Sequence, residues 1–166
     1  FDLRWSPELS WSANARLTKV ATAPLMPSLP GRVSGELTAR GRQDPTELEI
    51  DIRELTGIVR DRPVSARGRL VLEGGQIQAR GLQLRSGNSE LSADGHPGAP
   101  DGLTVQARIP SLADFVEGAA GSFSGSATVA LNPARPLLRL NGTGEKLAWG
   151  DTGIGQLALT TDAAGD

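Results

Sequence analysis

The fold class is decided by the stretch ELEIDIR, residues 47–53, in which charged and apolar residues alternate without a break. A period of two is the spacing at which the side chains of a β-strand share one face. Leu48, Ile50 and Ile52 therefore lie on one side of a strand, and the charged residues lie on the other. The same alternation recurs at LTVQARI, residues 103–109. The pattern predicts an all-β chain whose sheet has one apolar face and one solvated face.

Further runs of this kind predict strands along most of the chain, joined by short turns rich in glycine, asparagine and aspartate. The predicted strands cover residues 9–17, 32–40, 47–53, 63–72, 76–84, 89–93, 103–109, 122–131, 137–142, 146–149 and 155–161. At Gly81 the apolar phase slips, which predicts a bulge or bend. A short helix is expected from Pro110-Ser111 to Gly118, and a weaker helical turn is expected within residues 20–29.

Composition excludes several classes of function. The formal net charge is -2, from 17 basic and 19 acidic residues, which gives no electrostatic footprint for nucleic acid. Cysteine is absent, so disulfides and thiolate metal sites are excluded. No apolar run approaches the ~18 residues of a membrane-spanning helix, and no signal peptide is visible. A chain that opens on Phe1 is expected to be a piece excised from a longer protein.

No catalytic constellation can be assembled from the sequence. The only histidine, His96, lies in the turn-like stretch DGHPG, residues 94–98, and no nucleophile, zinc-protease or phosphate-loop motif occurs. Glu47, Glu49 and Asp51 fall on the solvated face of their strand, where charge discourages unwanted strand pairing. We therefore predict that the protein is not an enzyme and has no catalytic, metal or cofactor site.

An internal repeat is visible at an offset of 90 residues. GRVSGELT, residues 31–38, returns as GSFSGSAT, residues 121–128, with four of eight positions identical. Repeated units pack mainly on their neighbours, so the chain is predicted to be one β-rich repeat segment over residues 1–166, with sub-units at about 9–95 and 103–166. The alternative is coincidence, since such a pattern arises easily in a β protein rich in glycine and serine.

The repeat and the segments around it carry a family resemblance. LADF (residues 112–115), GSFSGSAT (121–128), KLAWGD (146–151) and RLVLEGGQI (69–77) resemble the TamB/AsmA-like family of translocation and assembly module components. The resemblance implies a longer protein that is anchored in the inner membrane of a Gram-negative bacterium and spans the periplasm. It also implies a meeting with the outer-membrane barrel protein TamA through other parts of the chain, and a role in outer-membrane assembly and phospholipid transport.

For the fold, the resemblance implies an elongated, curved, antiparallel or mixed sheet, a "β-taco", with an apolar concave groove and one or two short helical turns. The candidate groove-lining residues are Val33, Leu37, Leu48, Ile50, Ile52, Leu70, Leu72, Ile77, Leu91, Leu103, Val105, Ile109, Phe123, Val129, Leu138, Leu140, Leu157 and Leu159. These nearly all-aliphatic positions suit acyl chains, but the alternation alone suits the core of a closed sandwich equally well.

The resulting hypothesis is a non-enzymatic periplasmic segment that shields lipid acyl chains or unfolded outer-membrane protein strands in an apolar groove. Two alternatives stand beside it. The first is a structural or adhesive β-repeat module with a closed core and no ligand. The second is a carbohydrate-active β-domain, which needs paired carboxylates facing a cleft.

Overall fold

The structure, a computed structural model, describes residues 2–4, 10–24, 30–42, 47–115, 118–131 and 136–164, and it confirms the all-β fold class. The strands are β1 (Asp2–Arg4), β2 (Ser10–Ala21), β3 (Gly31–Arg42), β4 (Leu48–Val59), β5 (Arg62–Glu73), β6 (Gln76–Ser86), β7 (Ser89–Gly95), β8 (Leu103–Ile109), β9 (Ala119–Ala130), β10 (Leu137–Trp149) and β11 (Thr152–Ala164). Most strands run several residues beyond their predicted ends, and β8 has the predicted bounds.

The strands form two units, residues 1–87 with β1 to β6 and residues 88–166 with β7 to β11. In the first unit, each strand from β1 to β5 pairs antiparallel with the next strand in the chain. In the second unit, the strands from β7 to β11 pair in the same way. Each unit is therefore an antiparallel meander, and no parallel pair is needed to build it. The sub-unit limits inferred from the repeat stay a prediction.

Bulges interrupt the ladders of both units. The slip predicted at Gly81 is confirmed, because the β5–β6 register shifts there and Gly81 has a φ of 55°. Further register shifts occur in β2 beside Lys19, in β4 at Arg53 and in β10 at Lys146. The sequence predicts two strands, residues 137–142 and 146–149, but both ranges belong to the single strand β10. The apolar alternation is interrupted between Gly142 and Lys146, and the β10 bulge restores the pairing beyond this interruption.

The helix expected after Pro110 is shorter than predicted. Only Leu112–Asp114 forms a turn, of the 3₁₀ type, and the Ser111 side chain makes no capping hydrogen bond. A three-residue turn is enough to connect β8 to β9, so no longer helix is needed. The prediction of a second helical turn within residues 20–29 is wrong for Val20 and Ala21. These two residues form the end of β2. Residues 25–29 lie outside the described residues.

The repeat serines have structural roles in the two units. The Ser34 hydroxyl accepts a hydrogen bond of 2.9 Å from the backbone N–H of Lys19 at the β2 bulge. Its counterpart Ser124 lies 3.2 Å from the Thr143 hydroxyl on the neighbouring strand. The two copies differ in register, since Leu37 pairs with Ile52 whereas its counterpart Ala127 pairs with Leu140.

Burial distinguishes these sheets from a closed sandwich. Among the described residues, the buried hydrophobic residues are all alanines, namely Ala66, Ala79, Ala93 and Ala130. From residue 10 onward, no leucine, isoleucine, valine, phenylalanine or tryptophan whose burial is described is buried. A closed core would bury such side chains, at ~1.5–3 kcal/mol each. The closed-core alternative therefore lacks its main requirement in the part of the chain that the structure describes.

Candidate functional site

The first unit has one face that is apolar from strand to strand. The cross-strand register brings Ala39, Ile50 and Leu70 side by side, and Leu48 next to Leu72 in the neighbouring row. Directly paired residues point to the same side of a sheet, so register and alternation together define the face. We call it the first apolar face. It consists of Trp11, Ala13, Ala15, Leu17, Val20, Val33, Leu37, Ala39, Leu48, Ile50, Ile52, Leu55, Val59, Val64, Ala66, Leu70, Leu72, Ile77, Ala79 and Leu84, with glycines between them and with Arg62 and Ser86 in the last rows.

The second unit has a matching arrangement. Val105, Ala127 and Leu140 form one cross-strand row, and Ile109, Phe123 and Gly144 form another. We call this the second apolar face. It consists of Leu91, Ala93, Leu103, Val105, Ala107, Ile109, Phe123, Ala127, Val129, Leu138, Leu140, Leu157, Leu159 and Ala163, with Thr161 and glycines between them.

Every predicted groove position falls on one of these two faces. Val33, Leu37, Leu48, Ile50, Ile52, Leu70, Leu72 and Ile77 are on the first; Leu91, Leu103, Val105, Ile109, Phe123, Val129, Leu138, Leu140, Leu157 and Leu159 are on the second. All are half-buried or exposed. The most exposed are Ile77 at 53%, Leu138 and Leu157 at 45% each and Leu159 at 41%. Part of their apolar surface is therefore exposed.

Several residues of the first apolar face were not on the predicted list. Leu55 follows the β4 bulge at Arg53, so it points to the same face as Ile52 although it is three positions further along the chain. Simple alternation from Ile52 places Leu55 on the opposite face. Leu17 and Val64 follow the alternation of their own predicted strands, and Leu84 follows the slip at Gly81 that the sequence shows.

Aromatic rings cover glycines on both faces. A Cβ atom placed on Gly41 would lie 2.7 Å from three indole atoms of Trp11, so the indole lies directly over that glycine. The Phe123 ring lies over Gly125 and Gly142 in the same way, with ring atoms 3.0 and 3.2 Å from the positions of their missing Cβ atoms. Such rings fill the space that a missing side chain leaves, and so they keep the apolar surface continuous.

The covering of Gly41 can be tested with tryptophan fluorescence. We expect Gly41→Val to push the Trp11 indole off the sheet into water and to shift its emission to longer wavelength. The measurement needs a protein in which Trp5 and Trp149 are replaced by phenylalanine. Gly153→Val is the matched control, because a Cβ at Gly153 meets nothing within 4 Å. Unchanged emission from Gly41→Val would show that the indole does not rest on this glycine.

The opposite face of the first unit is polar and carries cross-strand ion pairs. Arg69 lies at its centre, with its Nη2 2.6 Å from Oδ2 of Asp51 and its Nη1 3.3 Å from Oε1 of Glu49. The hydrogen bond to Asp51, with the charges of Glu49 and Asp51, raises the pKa of Arg69 above its usual value. Because these groups are part-exposed, such pairs contribute little to stability and mainly specify register. This face has the solvated character that alternation predicted.

His96 has a structural role in its turn. The Nδ1 atom of His96 accepts a hydrogen bond of 2.9 Å from the backbone N–H of Gly98, so the imidazole holds a turn. No group of three metal-ligating side chains is present among the described residues. No helix in the described segments is long and apolar enough to cross a membrane. What the residues do offer is two apolar sheet faces.

Comparisons with known proteins point in one direction. The family model "TamB, N-terminal domain" matches residues 1–165. A curated relative, the "Translocation and assembly module subunit TamB" of Haemophilus influenzae, is 24% identical over 146 residues. That alignment covers 86% of this chain and 11% of the relative, so the chain spans a small part of the length of the protein it resembles. No solved structure matches the chain.

Proposed function

Because the chain belongs to the TamB family, we propose that it is a non-enzymatic periplasmic segment whose two apolar faces bind lipid acyl chains. The observation that carries this proposal is the combination of register and burial. Every predicted lining position lies on an apolar face, and no side chain larger than alanine on either face is buried. Such a surface is costly in water unless a ligand covers it.

Acyl chains match the chemistry of these faces. The lining is nearly all aliphatic, and hydrocarbon needs only non-directional contact, worth ~0.8 kcal/mol for each methylene removed from water. A sugar or a charged metabolite needs several convergent polar groups, whereas the two faces are mostly aliphatic. The carbohydrate-active alternative has no support, since Glu49 and Asp51, the carboxylates nearest the centre of the first unit, are on the polar face and engaged by Arg69.

The name of the Haemophilus influenzae relative suggests the setting. A subunit of a translocation and assembly module acts with partners, and we propose that the longer protein containing this chain is anchored in the inner membrane and meets the barrel protein TamA through its other parts. In that setting the segment supports outer-membrane assembly and phospholipid transport between the two membranes of a Gram-negative bacterium.

An outer-membrane protein strand is a second candidate cargo, and the outer side of β11 favours it. Within the described residues β11 pairs only with β10, and all of its 13 residues except Thr161 are exposed. An unpaired edge of this length offers backbone N–H and C=O groups to an extended chain. Asp162 is the single charged residue of β11 and is paired with Arg139 at 3.2 Å. Little charge therefore discourages this edge from pairing with another strand.

Photo-crosslinking tests the main proposal. A photoreactive amino acid at Ile50 or Leu140 is expected to form adducts with phospholipid acyl chains in cells. The matched controls are Gln78 and Gln106, which lie on the polar faces of the same units, and which are expected to form none. Mass spectrometry of lipid extracted from the purified protein gives an independent readout. Equal adducts from both faces, or no lipid in either measurement, would contradict the proposal.

A further inference from the structure

The polar face of the first unit contains a depression of about 420 Å³ whose lining residues include three arginines, together with Leu55 and Ala66 of the first apolar face. Arg53 comes from the bulge of β4, Arg67 from β5 and Arg85 from β6, so three strands contribute one guanidinium each. Most basic residues of the chain lie in residues 1–87. Like charges gathered in one concavity repel one another and attract anions. We call this concavity the arginine depression.

Two hydroxyl groups line the same depression. Thr56 of β4 lies directly opposite Ser65 of β5, which in turn lies directly opposite Arg85 of β6. Neither hydroxyl is engaged by a side-chain hydrogen bond within the described part of the chain. Directly opposed residues have Cβ atoms about 4.5–5.5 Å apart, so the two hydroxyls and the guanidinium lie within the reach of one small ligand.

Arg67 is oriented but not neutralised. Its Nε and Nη2 atoms donate to Oε1 of Gln83 at 2.9 and 2.7 Å, and Gln83 is uncharged. Arg69, on the same strand, is instead compensated by two carboxylates. A guanidinium has five N–H donors, so Gln83 leaves Arg67 with donors for a ligand. Of the carboxylates near the depression, Glu54 lines it directly, and Glu36 lies 3.8 Å from Arg53.

We propose that the arginine depression is an anion site that binds a phosphate group. Arg67 and Arg85 supply charge-assisted hydrogen bonds to the phosphate oxygens, and the Thr56 and Ser65 hydroxyls donate to the same oxygens. Arginine forks match the geometry of phosphate, whereas a halide would use few of these donors. The phosphate belongs either to inorganic phosphate or to the headgroup of a phospholipid. Because this site is on the polar face, it is independent of acyl-chain binding on the first apolar face.

Titration of inorganic phosphate, followed by calorimetry and by ³¹P NMR line width, tests the site in the purified protein. Arg67→Gln and Arg85→Gln are each expected to weaken phosphate binding by ~10-fold, the usual effect of losing a charge-assisted hydrogen bond. Glu54→Gln is expected to strengthen it, because a repelling carboxylate is removed. Arg139→Gln, in the second unit, is the matched control for net charge and is expected to change nothing.

Vesicles identify the source of the phosphate. The protein is sedimented with phosphatidylcholine vesicles, with and without phosphatidylglycerol. If it sediments with them, and if this binding is lost in Arg67→Gln and displaced by inorganic phosphate, the phosphate belongs to a lipid headgroup. Binding of inorganic phosphate without sedimentation assigns it to the free ion. No phosphate binding by the unchanged protein, or an equal loss in Arg139→Gln, would overturn the proposal while leaving acyl-chain binding on the first apolar face untouched. Far-UV circular dichroism checks that each variant stays folded.

Discussion

Replacing Ile50 by arginine is expected to reduce the affinity of the protein for acyl chains by ~10-fold or more while its sheets stay folded. Ile50 lies between Ala39 and Leu70 in the middle of the first apolar face, where a bound hydrocarbon chain would have to desolvate the new guanidinium. The position is half-buried, so an arginine stem can lie along the face while its charged end reaches water. Leu140→Arg is expected to act in the same way in the second unit, since Leu140 lies between Ala127 and Thr161.

The measurement combines binding of a fluorescent fatty acid with the far-UV spectrum and the urea unfolding curve. Ile50→Met keeps the apolar surface and is expected to bind nearly as well as the unchanged protein. Gln78→Arg places the same charge on the polar face and is expected to have no effect on binding. If Ile50→Arg and Leu140→Arg lose their β-type spectrum, these side chains belong to a closed core, and the apolar faces are not binding surfaces.

Which residues share a face could be predicted from the sequence wherever alternation was unbroken. Leu48, Ile50 and Ile52 came from one run, and Leu103, Val105 and Ile109 from another, and the register places both runs on apolar faces. Alternation succeeds here because the side-chain period of a strand is fixed by backbone geometry and does not depend on what the strand packs against.

Bulges set the limit of that reasoning. Gly81 was recognisable because glycine adopts a positive φ at little cost, but Lys19 and Lys146 have φ values of 51° and 52° at the β2 and β10 bulges without a glycine as a signal. At Arg53 the bulge returns Leu55 to the first apolar face. These conformations are imposed by pairing with neighbouring strands, which no local pattern reports.

The sequence alone also does not predict whether the apolar faces are covered by another layer. A strand of a closed sandwich and a strand of a single-layer sheet show the same alternation, because both have one apolar side. The difference appears in burial, where Ala66 and Ala79 are buried in the first unit while Leu84 is 43% and Ile77 53% exposed. The arginine depression was likewise hidden, since its residues come from three strands and meet only through register.

The β5–β6 bulge makes the strongest prediction about stability. Gly68 has a φ of 124°, and a Cβ atom there would lie 2.5 Å from the Cα of Leu82 and 2.7 Å from the carbonyl oxygen of Gly81. Both contacts are with backbone, which cannot move without opening the ladder between β5 and β6. We therefore expect Gly68→Ala to lower the free energy of unfolding by ~3 kcal/mol or more, from backbone strain together with the clash.

Gly81→Ala separates these two causes. Gly81 lies in the same bulge with a φ of 55°, but a Cβ atom there meets nothing within 4 Å, so the substitution introduces backbone strain alone. Its expected effect is ~1 kcal/mol, the cost of placing an L-residue in the left-handed region. Urea unfolding of both variants at constant m-value gives the comparison. A Gly68→Ala variant no less stable than Gly81→Ala would mean that β5 and β6 do not approach as closely as this register requires, and that the bend which returns Leu84 to the first apolar face is built differently.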